Sequence, residues 1–303
     1  MSNFQGWLNI YKPVGITSFT AVKKIKKLFS ISKIGHGGTL DPLAEGVLPI
    51  AIGKATKLIP FINTNIKEYE FKIKWGIQTS TDDAEGEIIN KSDLIPLKSE
   101  IIIAMKNYIG EILQKPPKAS AIKINGKRAY DLFRKNKEFE IKEKKVYLYS
   151  SKISDFQNDE LSTTIQITCG KGFYVRSYAR DLAELLNTKG HVSSLKRTKV
   201  GKFLSKNANL LDDLLKIGQR LTEFKGFHSS ISMLDDILAY EIDDEKDLLS
   251  ISQGRLIKIN LDNLINPTLN STDGKIIFLT DKGRVLSFGK LDGNLFKPDK
   301  VLI

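Results

Sequence analysis

The sequence predicts a mixed α+β protein, with a largely antiparallel central sheet, flanking helices and a small all-β module at the C-terminal end. Three observations carry this. Tyr69 to Trp75 and Leu161 to Cys169 alternate apolar and polar residues at the period of a half-buried strand. Phe19 to Leu28 and Val175 to Leu186 read instead as helices. The strand candidates are many and non-consecutive, which favours a mixed sheet over regular βαβ units.

Taken in order, Gly6 to Tyr11 reads as a short strand ended by Lys12-Pro13. Thr17 or Ser18 can cap a helix whose apolar positions are Phe19, Val22, Ile25 and Leu28. Its other face carries Lys23, Lys24, Lys26 and Lys27, either solvated or turned toward phosphates. Residues 35–46 are rich in Gly and Pro and read as a loop before a buried strand, Val47 to Ile52. In Tyr69 to Trp75 the polar partners are Glu70, Lys72 and Lys74. Only Thr163 breaks the alternation of Leu161 to Cys169. Lys275 to Leu279 and Val285 to Phe288, with Asp-Lys-Gly and Leu-Asp-Gly turns, make up the β module.

A chain of 303 residues suggests two domains. Residues 1–210 hold 35 Lys+Arg against 20 Asp+Glu, whereas residues 211–303 hold 12 against 15. The positive surplus therefore sits in the first two-thirds and points to a polyanionic partner, or to solvated lysine faces. The change of sign suggests a boundary within 205–245. No apolar run approaches the ~18 residues of a membrane helix, and Met1 to Tyr11 does not read as a signal peptide. A soluble, cytoplasmic protein is expected. The single Cys169 excludes an internal disulfide and a cysteine-based zinc cage, and the three histidines lack metal-ligand spacing. Phosphate-binding-loop, dinucleotide-fold and Gly-x-Ser-x-Gly signatures are absent.

The densest constellation is Gly35 to Gly46, with four glycines in twelve residues. Glycines let a backbone approach a ligand closely. His36, Asp41 and Glu45 are its ionisable groups. Two carboxylates can act as acid and base, or one aspartate as a nucleophile. Alternatively, Asp41 caps a turn before Pro42. A second cluster runs from Gly170 to Arg176, followed by Tyr178 and Arg180. Its Lys-Gly-Phe start matches an RNA-recognition signature only weakly. Arg176 can pair with a carboxylate from another loop, or simply begin a surface helix.

Together these motifs resemble the TruB family of pseudouridine synthases. Gly35 to Pro49 is similar to its catalytic motif, and Gly6 to Ser18 to its opening motif. Lys67-Glu68-Tyr69-Glu70-Phe71, with Gly76 and Thr79 to Asp82, resembles its tyrosine motif. Gln114 to Tyr130 looks like its RNA-clamping insertion, Lys171 to Arg176 its arginine motif, and His191 to Arg197 its leucine motif. Order and spacing hold over residues 6–205. Gly274 to Ile303 looks like the small β-barrel (PUA-type) domain that follows in many members.

The resemblance implies a pseudouridine synthase-type catalytic domain over 1–240, with the insertion at about 114–150, and a PUA-like domain over 241–303. It implies isomerisation of uridine 55, in the T-arm of transfer RNA, to pseudouridine: N1–C1′ breaks, the base turns, and C5 joins C1′. No cofactor or metal is expected. The essential carboxylate falls on Asp41, which can attack sugar or base or assist sugar deprotonation. Arg176 falls on its pairing arginine, Tyr69 on the tyrosine against the target base, and Leu195 on a pocket leucine. His36 falls on the histidine that fills the space left by the flipped base. Lys123, Lys127, Arg128, Lys144 and Lys145 are expected as RNA-backbone contacts. Gly37 departs from the family, where many members have Thr, and the acidic tail is unexpected for an RNA-contacting module. The chain is expected to act as a monomer, without guide RNA or protein partners. A protein that binds or helps fold RNA without turnover is the alternative.

Overall fold

The computed structural model describes residues 5–62, 66–216, 226–234, 237–265 and 275–303. Strand β1 (Gly6–Lys12) leaves only Tyr11 partly open, as expected for a central strand covered on both faces. Helix α1 (Ser18–Leu28) is capped by the Thr17 hydroxyl, which accepts from the Thr20 amide at 3.0 Å. Its inner face is Ser18, Ala21, Val22 and Ile25. Phe19, expected on that face, is 72 % exposed. The reason is local: Ser18 takes the inward position to bond the Leu40 backbone, and its neighbour turns ~100° away.

The loop expected over 35–46 is shorter. Strand β2 (Ile34–His36) pairs with the end of β3 (Ala44–Ile52), His36 opposite Ile50. Short helix α2 (Ile59–Ile62) then leads toward β4 (Lys67–Trp75), whose odd residues all point inward. The hairpin β5 (Ile77–Thr79) and β6 (Ile88–Lys91), helix α3 (Lys98–Lys106) and β7 (Gly110–Gln114) follow. The insertion carries a tight hairpin, β8 (Lys123–Ile124) and β9 (Lys127–Arg128), and helix α4 (Ala129–Phe133).

Strands β10 (Lys144–Gln157) and β11 (Ser162–Cys169) form a long antiparallel pair. Thr163 is buried, and Trp75 Nε1 donates to its hydroxyl at 2.9 Å, so the break in the polar pattern is a satisfied inward group. Helix α5 (Val175–Leu185) packs against β12 (Gly190–Val200) and buries Tyr178 and Leu182. Strands β13 (Phe203–Leu204) and β14 (Asn209–Leu210), helix α6 (Leu211–Lys216) and β15 (Phe227–Ser229) complete this part.

The main sheet runs β14-β1-β3-β12-β4-β11-β10-β7, with β2, β13 and β15 attached beside it. Among the described residues, the pairs β1·β14 and β3·β12 are parallel and the others in this sheet are antiparallel. The insertion of β12 between β3 and β4 is the crossover that builds the site. It brings the catalytic-motif strand and the tyrosine-motif strand to either edge of one strand.

A second sheet contains β16 (Leu238–Glu241), β17 (Ile257–Lys258), β18 (Leu264–Ile265), β19 (Ile276–Asp281), β20 (Arg284–Asp292) and β21 (Leu295–Val301), with helix α7 (Glu245–Ser252) beside it. The strands expected at 275–279 and 285–288 are thus longer or shifted, and Gly274 lies outside the described residues. This sheet reaches back to Leu238 and covers the rear of the first. Trp7, Val47 and Ala51 share a core with Phe278 and Val285, and Trp7 Nε1 donates to the Ser230 carbonyl at 2.9 Å. Among the described residues, no helix is long and apolar enough to cross a membrane.

Candidate active site

A cavity of 330 Å³ opens where β4, β12, the β2–β3 loop and the start of α5 converge. Asp41, Tyr69, Arg176 and Leu195 all line it. Asp41 lies between two anchored neighbours. Ser18 Oγ accepts from the Leu40 amide at 2.8 Å and donates to the Leu40 carbonyl at 3.0 Å. The Gly15 amide donates to the Pro42 carbonyl at 2.9 Å. The segment over Gly15 to Ser18 therefore grips this loop on both sides of the aspartate.

Arg197 grips the same loop from β12. Its Nε donates to the Val47 carbonyl at 2.8 Å, Nη2 to Gly38 at 3.0 Å and Nη1 to Thr39 at 3.3 Å. Gly46 has φ +105°, and a Cβ there would overlap the Arg197 carbonyl oxygen. Only glycine permits that approach of β3 to β12. At Gly37, a Cβ would overlap the Cδ1 of Ile62, so a buried isoleucine fills the space that a threonine side chain would need.

Arg176 is buried rather than at the surface. Its Nη2 lies 2.9 Å from Asp41 Oδ2, and its Nη1 lies 3.2 Å from Asp83 Oδ2. The Thr81 carbonyl also accepts from Nη1 at 3.0 Å and the Ala119 carbonyl from Nη2 at 3.1 Å. The Asp41 side chain keeps 35 % exposure toward the cavity. Burial pushes its carboxyl above the ordinary value, the Arg176 guanidinium draws it back down, and the Asp83 carboxylate adds to the rise. Burial likewise raises the Tyr69 phenol, with Arg197 opposing.

His36 lies in β2, outside the cavity wall, with its Nδ1 buried and without a partner among the described residues. Burial, then Arg197, lower its pKa, which favours the neutral ring. Lys123, Lys127 and Arg128 share an exposed basic groove with Arg134, Lys135 and Lys137. Lys144 and Lys145 lie apart from it on β10, and Lys145 pairs with Glu111 at 2.7 Å. Cys169 is buried, and that burial pushes its thiol up to about 12.

Two family models match this chain in succession. The N-terminal domain of the TruB family of pseudouridylate synthases matches residues 26–175, and the C-terminal domain of tRNA pseudouridylate synthase B matches residues 176–239. A protein named tRNA pseudouridine synthase B from Mesorhizobium japonicum is 36 % identical over 98 % of this chain and 95 % of its own. The chain belongs to the TruB family. Another relative of the same name, from Caulobacter vibrioides, is 44 % identical over 83 % of this chain and 81 % of its own. A solved Cbf5–Nop10–Gar1 complex superposes with TM-score 0.73 at 22 % identity, over 98 % of this chain and 85 % of that one. At that identity the likeness speaks to the fold.

In this TruB chain, residue-by-residue reading missed Lys12, Ser18, Lys67, Asp83 and Arg197 as site groups. The Lys12 side chain is fully buried, and its ammonium donates to the Pro13 and Ile16 carbonyls at 2.7 and 2.8 Å. Arg197 did carry a signal, a charge in phase with the pocket residue Leu195 on one strand.

Proposed function

We propose that this chain isomerises uridine 55 in the T-arm of transfer RNA to pseudouridine, acting alone as a monomer in the cytoplasm and without a cofactor. The observation that carries the reading is the Asp41 carboxylate, paired to a buried arginine and opening into a cavity walled by Tyr69 and Leu195. Arg176 opposes the effect of burial and favours the ionised form of Asp41. The carboxylate can then bond C1′, add to the base, or assist loss of the C2′ proton in the course of breaking the N1–C1′ bond. Tyr69 offers a face for the base. The target must leave its stack, at a cost of a few kcal/mol recovered in the pocket. His36, its ring biased toward the neutral form and its Nδ1 without a partner among the described residues, takes the place beside the flipped nucleotide. Lys123, Lys127 and Arg128 grip phosphates from the insertion, with Lys144 and Lys145 on the strand that follows. We assign residues 1–240 to the catalytic domain and 241–303 to the PUA-like domain.

The test is tritium release from 5-tritiated uridine in an unmodified transfer-RNA transcript, because bonding at C5 expels that hydrogen. Release that vanishes when the T-loop target is cytidine supports both reaction and position. Asp41→Asn should bind the transcript and release nothing. Binding by the wild type without any release would instead favour the binding-only alternative.

A further inference from the structure

Lys67 has no part in the reading above, yet it belongs to the same cavity. It stands two residues before Tyr69 on β4, so both side chains leave the strand on one face. Lys67 is 9 % exposed and helps form the wall with Tyr69, Leu195 and Arg197. A lysine seldom sits this deep, because burying an ammonium is costly. The simple structural explanation is a packed aliphatic stem. Two features argue for more. The residue forms part of the wall of the reaction cavity, and the pocket's other cations stand at different positions. Arg176 holds Asp41 and Asp83, Arg197 holds three loop carbonyls, and Lys171 is exposed at the rim.

A cation near the base favours this chemistry. When N1–C1′ breaks, its electron pair leaves with the uracil, which becomes an anion with charge on N1 and the carbonyl oxygens. The deficit at C1′ is met by the Asp41 carboxylate, or by loss of a C2′ proton that later returns. C5 then bonds to C1′, the C5 proton departs, and N1 takes up a proton. No atom or electron is gained or lost overall.

We propose that the Lys67 ammonium faces the detached uracil and stabilises its negative charge while the base turns, a role that rests on the isomerase reading. Lys171 at the rim is placed for phosphate, whereas Lys67 in the wall is placed for the base. A fixed cation aimed at developing charge in a water-poor site is an effective form of electrostatic catalysis. The groups around Lys67 are Tyr69 on its own strand, Cys169 on β11, Arg197 on β12 and Lys171 on the following loop. Burial, reinforced by Arg197 and Lys171, brings its pKa down to about 8, with Cys169 opposing. An arriving anion favours the charged form.

The experiment is single-turnover tritium release by the full chain, with transcript affinity measured in parallel. Lys67→Met should slow release about 100-fold while changing affinity less than about threefold. Lys67→Arg keeps the charge and should recover release to within about tenfold of wild type. The wild-type rate should fall above about pH 8 as the ammonium loses its proton. In Lys67→Arg that alkaline limb should move up by about one unit or more, because a guanidinium does not titrate there. An unchanged rate in Lys67→Met, a loss confined to affinity, or an unmoved limb in Lys67→Arg overturns the proposal. If Lys67→Met fails to fold, the Lys67→Arg profile decides. A wild type that releases no tritium defeats the isomerase reading itself. An active wild type with unchanged variants defeats only the role of Lys67.

Discussion

Asp83 Oδ2 lies 3.2 Å from Nη1 of Arg176, on a different nitrogen from the one that holds Asp41 at 2.9 Å. One guanidinium therefore serves a buried carboxylate and one that opens into the cavity. Asp83 is itself fixed, because its Oδ1 accepts from the Thr81 hydroxyl at 2.6 Å and the Glu85 amide at 3.0 Å. The plane of Arg176 is thus set before any substrate arrives. Asp83 has a second effect, since its charge helps push the Asp41 carboxyl upward.

Asp83→Asn separates these effects. With the charge gone, one cause of the raised Asp41 pKa disappears. On the proposed reading Asp41 reacts in its ionised form, so the acid limb of kcat/KM should lie above the ordinary 3.8 in the wild type. In Asp83→Asn that limb should move to lower pH. The plateau rate should still fall about 10- to 100-fold, because Arg176 loses its second charged anchor. A pH–rate profile checks both statements, and a limb that moves upward contradicts the first.

Ser18→Ala should damage the rate more than its distance from the cavity suggests. It leaves the buried Leu40 amide and carbonyl without their partner, at a cost of about 1–3 kcal/mol. It also frees the backbone just before Asp41, so kcat should fall about tenfold or more with RNA affinity nearly unchanged. Thr17→Ala is the control. It removes the helix cap, costs about 1 kcal/mol and should leave kcat alone. Urea unfolding and single-turnover rates on both variants test the contrast.

What the sequence made legible follows from the range of each interaction. Alternation in Tyr69 to Trp75 reports burial on one face, and that is how β4 lies. The ends of β2 and β3 were hidden in a Gly- and Pro-rich stretch, because their strand character comes from pairing with each other. The short β14 exists through its pairing with β1, a relation some 200 residues apart in the chain. Within the site, Asp41, Tyr69 and Arg176 stand in recognisable motifs. Arg197 and Ser18 act on backbone atoms, whose identity no motif records. Arg197 reaches Gly38 across 159 positions. Phe19 shows the limit of periodicity. An apolar residue in phase with Val22 gave way to a serine with a backbone to hold.

Gly37→Thr, which introduces the residue that the family resemblance leads one to expect there, should destabilise the chain. The new Cβ meets Ile62, which is fully buried against the second sheet's core. Overpacking of this kind costs about 1–3 kcal/mol. Ile62→Val removes the Cδ1 that overlaps and alone should cost about 0.5–1.5 kcal/mol. The double variant should then be more stable than the sum of the two singles predicts, by about 1 kcal/mol or more. Denaturant unfolding of the four proteins gives this coupling directly, and strict additivity would mean that the loop relaxes away from Ile62.

Lys12 supplies a pH test with a definite sign. Burial lowers its pKa from 10.5 to about 8, with Asp41 opposing and Arg197 adding to the fall. Below about pH 8 the ammonium is protonated in both folded and unfolded chains, so stability does not depend on its titration. Between about 8 and 10.5 the folded chain has released this proton while the unfolded chain still holds it. The unfolded state then binds more protons, and unfolding free energy rises with pH on account of this group. Lys12→Met has nothing to titrate there. It also leaves the Pro13 and Ile16 carbonyls without their donor at every pH, a deficit that subtracts out. Wild type should therefore gain stability over Lys12→Met between pH 7.5 and 10 by urea unfolding. Other groups that titrate in this range are common to both proteins. A difference that stays flat, or reverses, would mean that the Lys12 ammonium keeps its charge through this range because the carbonyls around it hold the proton in place.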